Sequence, residues 1–509
     1  MALMFSALRI ESRPWPFRRR PGTVVLLIFL GLAAAQSGWA SVAVYVGKNL
    51  TADGSVLLAG YGDEPSSHWL VIMPRRQHAP GSTLAVGATE TGGYGGAALP
   101  GELVEIPQVA ETHRYISMDY SYFAGFPAPL TNGGMNEHGL AVRDVALFSR
   151  PELVAMTPNP QRGPQYSDLA RIALERAGSA REAVMITVDL IERYGFTTYG
   201  GNSHVFADPE EGWVLLEFAG GQGLWVAKRL GPDDVWLNWR GYHGIGYVQS
   251  LPPNWREDPD YLASDNFVAF AAEQGWHTAD EDAPFPVIDV YAREDQYSEE
   301  SQAEALAVEA SVRAAAPGVT PRLLMDLLHA SGKDSSGYGQ VAHLRAGIRP
   351  ELRTLWVAPA PPLTAPFIPW RIGVELVPPE YRRHRYLTAG EAARTIDEAG
   401  RGVESTRYAN RLAKRLFYLV EEYREAFLPE VRDALEAFEE RQLAAQPAIE
   451  RTAAILLKAD EESLARRYLT EQAHAAAAEG LRLMEALAES IEMRTRMRHG
   501  IRLPADEAH

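Results

Sequence analysis

The sequence predicts an α+β protein: a layered sandwich of sheets and helices, followed by a helical C-terminal region. Three observations lead to that class. Residues 41–250 run as strands, then a pair of amphipathic helices, then strands again, which suits stacked sheets better than alternating βαβ units. Residues 251–385 turn Pro-rich and irregular, and after about residue 388 the apolar periodicity is helical throughout. At 509 residues the chain can bury more than one core. The expected division is 1–40, 41–387 and 388–509.

Residues 1–40 have the form of an export signal. Phe17-Arg18-Arg19-Arg20 precedes an apolar run from Thr23 to Ala35, and the small residues Gly38 and Ala40 stand where a signal peptidase would cut. The run is shorter than the roughly 20 residues a membrane span needs. Cleavage after Ala40 is therefore expected, with the protein exported to the periplasm or secreted and no stable span left.

From Ser41 the pattern is β. Val42, Val44 and Val46 alternate with Ala43 and Tyr45, as in a strand covered on both faces. Thr51-Ala52-Asp53-Gly54-Ser55 is a turn with a glycine free to take positive φ. Val56–Tyr61 returns as a second strand, which brings Asp63 back beside Ser41, and His68–Met73 makes a third. Thr91-Gly92-Gly93-Tyr94-Gly95-Gly96 is a loop lacking the spacing of a phosphate or dinucleotide cradle; it reads as a rim or a plain connection. Gly133–Gly139 predicts a turn leading to a buried strand. Ser167 is expected to cap a helix with Leu169, Ile172 and Leu174 on its apolar face, and residues 179–194 form a second. Strands follow at Ser203–Ala207, Trp213–Phe218 and Leu224–Lys228. Further helices are expected at 262–275, 301–314 and 320–330, and a strand at Trp356–Ala358. In the last region Ser405 and Thr406 should cap a helix, Pro429 and Pro447 should each open a new one, and Leu481, Met484, Leu487 and Ile491 line the final helix. These helices are expected to pack on the core or on a partner chain, as in a homo-oligomer.

Composition narrows the chemistry. The net charge is −17, and the first forty residues hold five arginines against one glutamate, so the remainder is more acidic still. So acidic a body without a basic run argues against nucleic acid or anionic membrane surfaces as partners. There is no cysteine, which removes disulfides, thiolate ligands and a thiol nucleophile. No HExxH, no other spaced metal cluster and no GxSxG elbow occurs, so no metal or cofactor is expected. Asp265, Asp289 and Asp295 form no recognisable carboxylate pair.

One position collects the rest. If Ala40 is the last residue removed, Ser41 carries a hydroxyl and a free α-amine together. A free N-terminal amine ordinarily titrates at about 7.7–8.0, so part of it is neutral near pH 7–8 and can take the hydroxyl proton.

Several segments resemble the dipeptidase A and secernin family of N-terminal-nucleophile hydrolases. They are SVAVYVGKNLTADGSVLLAGYGDEP, IPQVAETHRYI, GGMNEHGLAV, SDLARIALERAGSAREAV and NSHVFADPEEGWVLLEFAG, and NFVAFAAEQGWHTADEDAPFPVIDVYA with the helical tail follows a bacterial branch. The resemblance covers most of residues 41–500. It implies a four-layer αββα sandwich and hydrolysis of dipeptides by the first mature side chain through an acyl-enzyme. The family's nucleophilic cysteine falls on Ser41 and its aspartate on Asp63. Its turn motif falls on Met135–Gly139, and an Asn-containing segment falls near Asn238-Trp239-Arg240-Gly241. Gly60 stands where many relatives carry a basic residue.

Ser41 and Asp63 are thus the expected catalytic pair. Asn136, Asn202 and Asn238 are the amides considered for binding substrate or the oxyanion, each with a structural reading beside it: turn former for Asn136, cap or support for Asn202. The substrate expected is a dipeptide or small amide. Two other readings stand next to dipeptidase: a binding protein that kept the fold without catalysis, and an amidase acting on N-acylated small molecules.

Overall fold

The computed structural model describes residues 41–499, apart from 65, 67, 89–99, 124, 125, 240–247, 279, 281, 294–298 and 383–407. Residues 1–40, expected to be a signal, the Gly-rich stretch 91–96, expected to be a loop, Arg240 and the caps expected at Ser405 and Thr406 lie outside the described residues.

Two antiparallel sheets form the centre. Strands β1 (Val42–Val46), β2 (Val56–Tyr61), β3 (His68–Met73), β4 (Tyr115–Phe123), β5 (Phe126–Asn136), β6 (Ala141–Val145), β7 (Gly201–Ala207), β8 (Gly212–Phe218), β9 (Trp225–Leu230), β10 (Val235–Asn238), β11 (Tyr261–Ala263), β12 (Gly339–Leu344), β13 (Thr354–Ala358) and β14 (Ile368–Arg371) make them. Sheet one has the order β10-β1-β2-β12-β13-β14, and sheet two the order β11-β9-β8-β7-β6-β5-β4-β3. The expected third strand, β3, therefore belongs to sheet two. The chain crosses from one sheet to the other directly after Asp63.

The pleat sorts side chains by alternation. Tyr45 packs its ring where a Gly212 side chain would begin and hydrogen-bonds the Leu230 carbonyl at 3.1 Å, so odd-numbered residues of β1 face sheet two. Gln340, paired in register with Gly60, donates to the Val142 carbonyl at 3.1 Å from the same side. Tyr61 points the other way and donates to the Ser331 carbonyl at 2.8 Å. In sheet two, Val205, Ala207, Val214 and Leu216 join the core between the sheets. Phe206, Trp213 and Leu215 join the core under helices α1 (Tyr166–Arg176) and α2 (Ala180–Tyr194). Helices α3 (Glu299–Ala315) and α4 (Pro321–Ser331) cover the outer face of sheet one, completing the αββα sandwich. Burying side chains such as Tyr45, Tyr61 and Trp213 is worth about 1.5–3 kcal/mol each.

Three local expectations are corrected. Helix α1 starts after Gln165, whose N–H donates to Asp168 Oδ2 at 3.2 Å, whereas Ser167 lies within the helix and accepts the Thr131 N–H at 2.5 Å. Gly133 and Gly134 lie inside β5 and the turn comes at 137–140. A side chain at 133 would meet Gln340 Oε1 at 2.3 Å, and one at 134 the Ile116 carbonyl at 2.1 Å, so close approach is what calls for glycine here. The last region consists of α5 (Ala409–Glu421), α6 (Arg424–Lys458) and α7 (Glu462–His499), and α6 runs unbroken through Pro429 and Pro447. A proline inside a helix costs roughly 3 kcal/mol. Buried Val431, Leu435 and Phe438 between the prolines, and Ile449, Ala453 and Leu457 beyond them, hold α6 in line.

These helices are part of the same compact unit as the sandwich, Gly38–His509. Their anchor is Glu439, fully buried, which accepts from His329 Nε2 at 2.9 Å, Arg322 Nη1 at 2.5 Å and the Phe367 N–H at 2.9 Å. Burial alone would push its carboxyl up, but His329 and Arg322 reverse this and hold it below the usual carboxylate range. Removing one partner of such a pair leaves uncompensated charge, at about 3–5 kcal/mol. Glu439→Ala should lower unfolding stability in urea by that amount and expose α5–α7 to limited proteolysis.

Candidate active site

Ser41 immediately precedes β1 and is half-buried. Strand β1 lies between β2 and β10, with Val42 opposite Tyr61 and Ala43 opposite both Gly60 and Asn238. Continuing that register puts Ser41 opposite Gly62, with Asp63 one residue further on. By alternation Ser41 shares the inward face with Ala43, Gly60 and Asn238. The hairpin thus brings Ser41 and Asp63 together at one end of the sandwich, and the pairing with β10 adds Asn238.

Asp63 is buried and forms an isolated bridge with Ser336. Its Oδ2 lies 2.9 Å from Lys333 Nζ, in the loop that follows α4. That loop is itself held from the helical region, because Asp334 Oδ1 accepts from Lys414 Nζ and Tyr418 OH of α5, both at 2.8 Å. Lys333 escaped the sequence reading because it lies far along the chain in no motif of its own.

Asn238 is fully buried, and neither atom of its carboxamide has a hydrogen-bond partner among the described residues. Leaving such a group unmatched costs about 1–3 kcal/mol, so an orphaned amide beside a strand end points to a ligand.

The other two asparagines are placed elsewhere. Asn136 Nδ2 donates to the Leu174 carbonyl at 3.0 Å and the Ala177 carbonyl at 2.7 Å, while Oδ1 accepts from the N–H groups of His138 (3.0 Å) and Leu140 (3.1 Å). Every hydrogen bond it can make goes to backbone. It also lies at the far end of the sandwich, since the turn after it packs against Arg353, just before β13, whereas the Ser41 end of β13 is Ala358. Asn202 has the parity of Phe206 and so faces the helix layer. Its Oδ1 accepts from Tyr199 OH at 2.7 Å, and Nδ2 reaches the Ser203 carbonyl at 3.3 Å.

Between the sheets at the Ser41 end lies a buried charged group that the sequence reading did not single out. The Glu64 carboxylate folds back over Gly62: its Oε1 stands 1.5 Å from where a Gly62 side chain would begin. Glu64 Oε2 is 3.3 Å from Nε2 of His68, whose ring lies between Tyr120 and Tyr338 at 5.5 Å from each. Arg143, on the inward face of β6 and fully buried, donates from Nη1 to Asn132 Oδ1 at 3.1 Å. Its Nη2 lies 3.9 Å from Glu64 Oε1 and 4.0 Å from Asp144 Oδ1, and neither Nη2 nor Nε is hydrogen-bonded among the described residues. Burial raises the Asp144 carboxyl to about 7, and Arg143 only partly offsets this. A hint existed in the sequence, because Glu64 follows Asp63 and Arg143 interrupts an apolar strand, but only the fold joins them.

Among the described residues one trio could hold a metal ion, His113, Glu137 and His138. It sits beyond Asn136 at the far end. His138 Nε2 is 3.3 Å from His113 Nδ1, and Glu137 is taken by Arg75, at 3.0 Å from Nη2, and by the Arg114 N–H at 2.8 Å. No helix among the described residues is long and apolar enough to cross a membrane.

Comparison with known proteins bears on this site. The profile of Peptidase family C69 matches residues 40–305, more than half of the chain. A probable dipeptidase of Latilactobacillus sakei is 26% identical over 203 residues, which cover 39% of this chain and 38% of that protein. A probable dipeptidase B of Lactococcus lactis subsp. lactis is 29% identical over 199 residues, 38% of this chain and 37% of its own. The match thus spans well under half the length of either relative. Among solved structures, penicillin V acylase from Agrobacterium tumefaciens is 16% identical, covering 65% of this chain and 86% of its own at a TM-score of 0.29. The C2A mutant of conjugated bile acid hydrolase from Clostridium perfringens is 11% identical, covering 62% and 88% at 0.28. Likeness at that level carries no argument about the site. The family match opens one residue before Ser41 and runs through every strand from β1 to β11, and the chain belongs to Peptidase family C69.

Proposed function

We propose that the protein is an exported dipeptidase in which signal cleavage after Ala40 frees Ser41 as an N-terminal nucleophile. The observation that carries this reading is the meeting of three strand ends at one end of the sandwich, with Ser41 and Asn238 on its inward face. Ser41 begins β1, Asp63 follows β2, and Asn238 ends β10 with an orphaned carboxamide. The family match, opening at residue 40, supports the same boundary.

The chemistry follows from those positions. The neutral α-amine of Ser41 takes the proton of its own hydroxyl as the oxygen attacks the peptide carbonyl. Asp63, oriented by Lys333, stabilises the resulting ammonium. The Asn238 N–H₂ donates to the oxygen that becomes negative in the tetrahedral intermediate, a role in which one donor is worth about 10²–10³ in kcat. Collapse expels the second amino acid, whose nitrogen takes the proton back from the ammonium. Water then attacks the acyl-serine, with the same amine as base.

Mass spectrometry of the exported protein should find Ser41 at its N-terminus; another N-terminus removes the amine base and with it the mechanism. Ser41→Ala should abolish dipeptide hydrolysis while leaving the melting temperature nearly unchanged. Asn238→Ala should lower kcat by about 10²–10³. Because only the neutral amine accepts a proton, kcat/KM should climb with pH through the amine's titration, about 7.7–8.0 before its neighbours act. Turnover of N-acylated amides in preference to dipeptides would point to the amidase reading.

A further inference from the structure

We infer that Glu64 and Arg143 are a receptor for the two charged ends of a free dipeptide, Glu64 taking the α-ammonium and Arg143 the terminal carboxylate. This deepens the dipeptidase reading and rests on it. Three observations support it.

The first is position. Side chains opposite each other on neighbouring strands have Cβ atoms about 4.5–5.5 Å apart. Gly62 is opposite Ser41 by register, and the Glu64 carboxylate occupies the space where a Gly62 side chain would be. A carboxylate therefore stands beside Ser41 on the inward face. In a dipeptide the ammonium nitrogen is on the carbon adjoining the attacked carbonyl, so it must come to rest within a few ångström of the nucleophile. Glu64 is the acidic group stationed there.

The second is incompleteness. Glu64 and Arg143 are both buried, yet their closest approach is 3.9 Å, too long for a hydrogen bond. Two guanidinium nitrogens, Nε and Nη2, are left without an acceptor among the described residues. A fold that needed only a structural ion pair would close it, since an open buried pair keeps the desolvation cost without the contact. Asn132 Nδ2 and Gln340 Oε1 beside Arg143 are also unmatched. Gln340 pairs in register with Gly60, next to Ala43, so this group lies across the sheet from Ser41.

The third is charge. Glu64 and Arg143 present opposite signs to an incoming zwitterion, with His68 beside the acid and Asp144 beside the base, and the ends of a dipeptide, on the order of 5 Å apart, can each find the opposite sign. An N-acylated substrate would leave Glu64 unmatched, and a C-terminal amide would leave Arg143 so. Two glycines make the seat: a side chain at Gly62 would displace the carboxylate, and one at Gly337 would meet Glu64 Oε2 at 2.3 Å and His68 Nε2 at 2.7 Å.

The test compares kcat/KM for Ala-Ala, N-acetyl-Ala-Ala and Ala-Ala-amide in wild type, Glu64→Gln and Arg143→Gln. Wild type should prefer the free dipeptide over each blocked form by at least tenfold. Glu64→Gln should erase the preference for a free amine and keep the preference for a free carboxylate, and Arg143→Gln should do the reverse. Should either variant fail to fold, Glu64→Asp or Arg143→Lys, which keep the charge and change its reach, are read in the same way. A uniform loss on all three substrates, as expected if Glu64 holds the Ser41 amine or the pair is purely structural, overturns the inference. Equal turnover of free and blocked substrates by wild type overturns it too while leaving the dipeptidase reading intact. A wild type that cleaves no dipeptide removes that reading first.

Discussion

The close approach of β1 to β2 governs this end of the sandwich. A side chain at Gly60 would begin 2.1 Å from the Val42 carbonyl oxygen and 3.1 Å from the Ala43 Cα, so backbone fills the place a side chain there would take. No flexible side chain could yield there; β1 itself would have to move. The tight pairing fixes which residue opposite Ser41 is Gly62, and hence where Asp63 and Glu64 fall. Positive charge comes to this end from elsewhere in the fold: Lys333 reaches Asp63 from the loop after α4, and Arg143 of sheet two comes within 3.9 Å of Glu64.

Much of the fold could be read from the sequence because it rests on short-range patterns. Alternation from Val42 to Val46, the glycine turn at Gly54 and the return at Val56–Tyr61 specify a hairpin, and that hairpin alone carries Asp63 to Ser41. What failed was local rules overruled by packing. Pro429 and Pro447 mark helix starts by propensity, yet both sit inside one helix that buried apolar residues hold straight. Ser167 lies inside its helix instead of capping it, because the helix starts after Gln165, whose backbone N–H is taken by Asp168. At the site, Asn238 could be placed only near its true neighbours, whereas Lys333 and Arg143 come from distant strands and loops and carry no local sign. Asn136 shows the converse: its Gly-rich setting was legible, and its use of all four hydrogen bonds on backbone was not.

A hydroxyl at position 41 leans harder on its surroundings than a thiol would. A cysteine is partly ionised near neutral pH, whereas a serine hydroxyl depends wholly on a positioned base. In the mechanism proposed for this cysteine-free chain, what a serine lacks in acidity must be supplied by preorganised groups. The amide of Asn238, unmatched among the described residues, fits that demand, because a donor without a partner has nothing to give up when an oxyanion forms.

The grip of α5 on the loop after α4 gives the helical region a role besides covering sheet one. Asp334 is tied to Lys414 and Tyr418, and its neighbour Lys333 holds Asp63. Farther along, Glu439 ties α6 to α4 through Arg322 and His329. Local opening of the helical region would free Asp334, the residue next to the lysine that pairs with Asp63. A nascent chain that has made only its sandwich would have Lys333 and Asp63 but not yet the α5 side chains, Lys414 and Tyr418, that hold the adjoining Asp334.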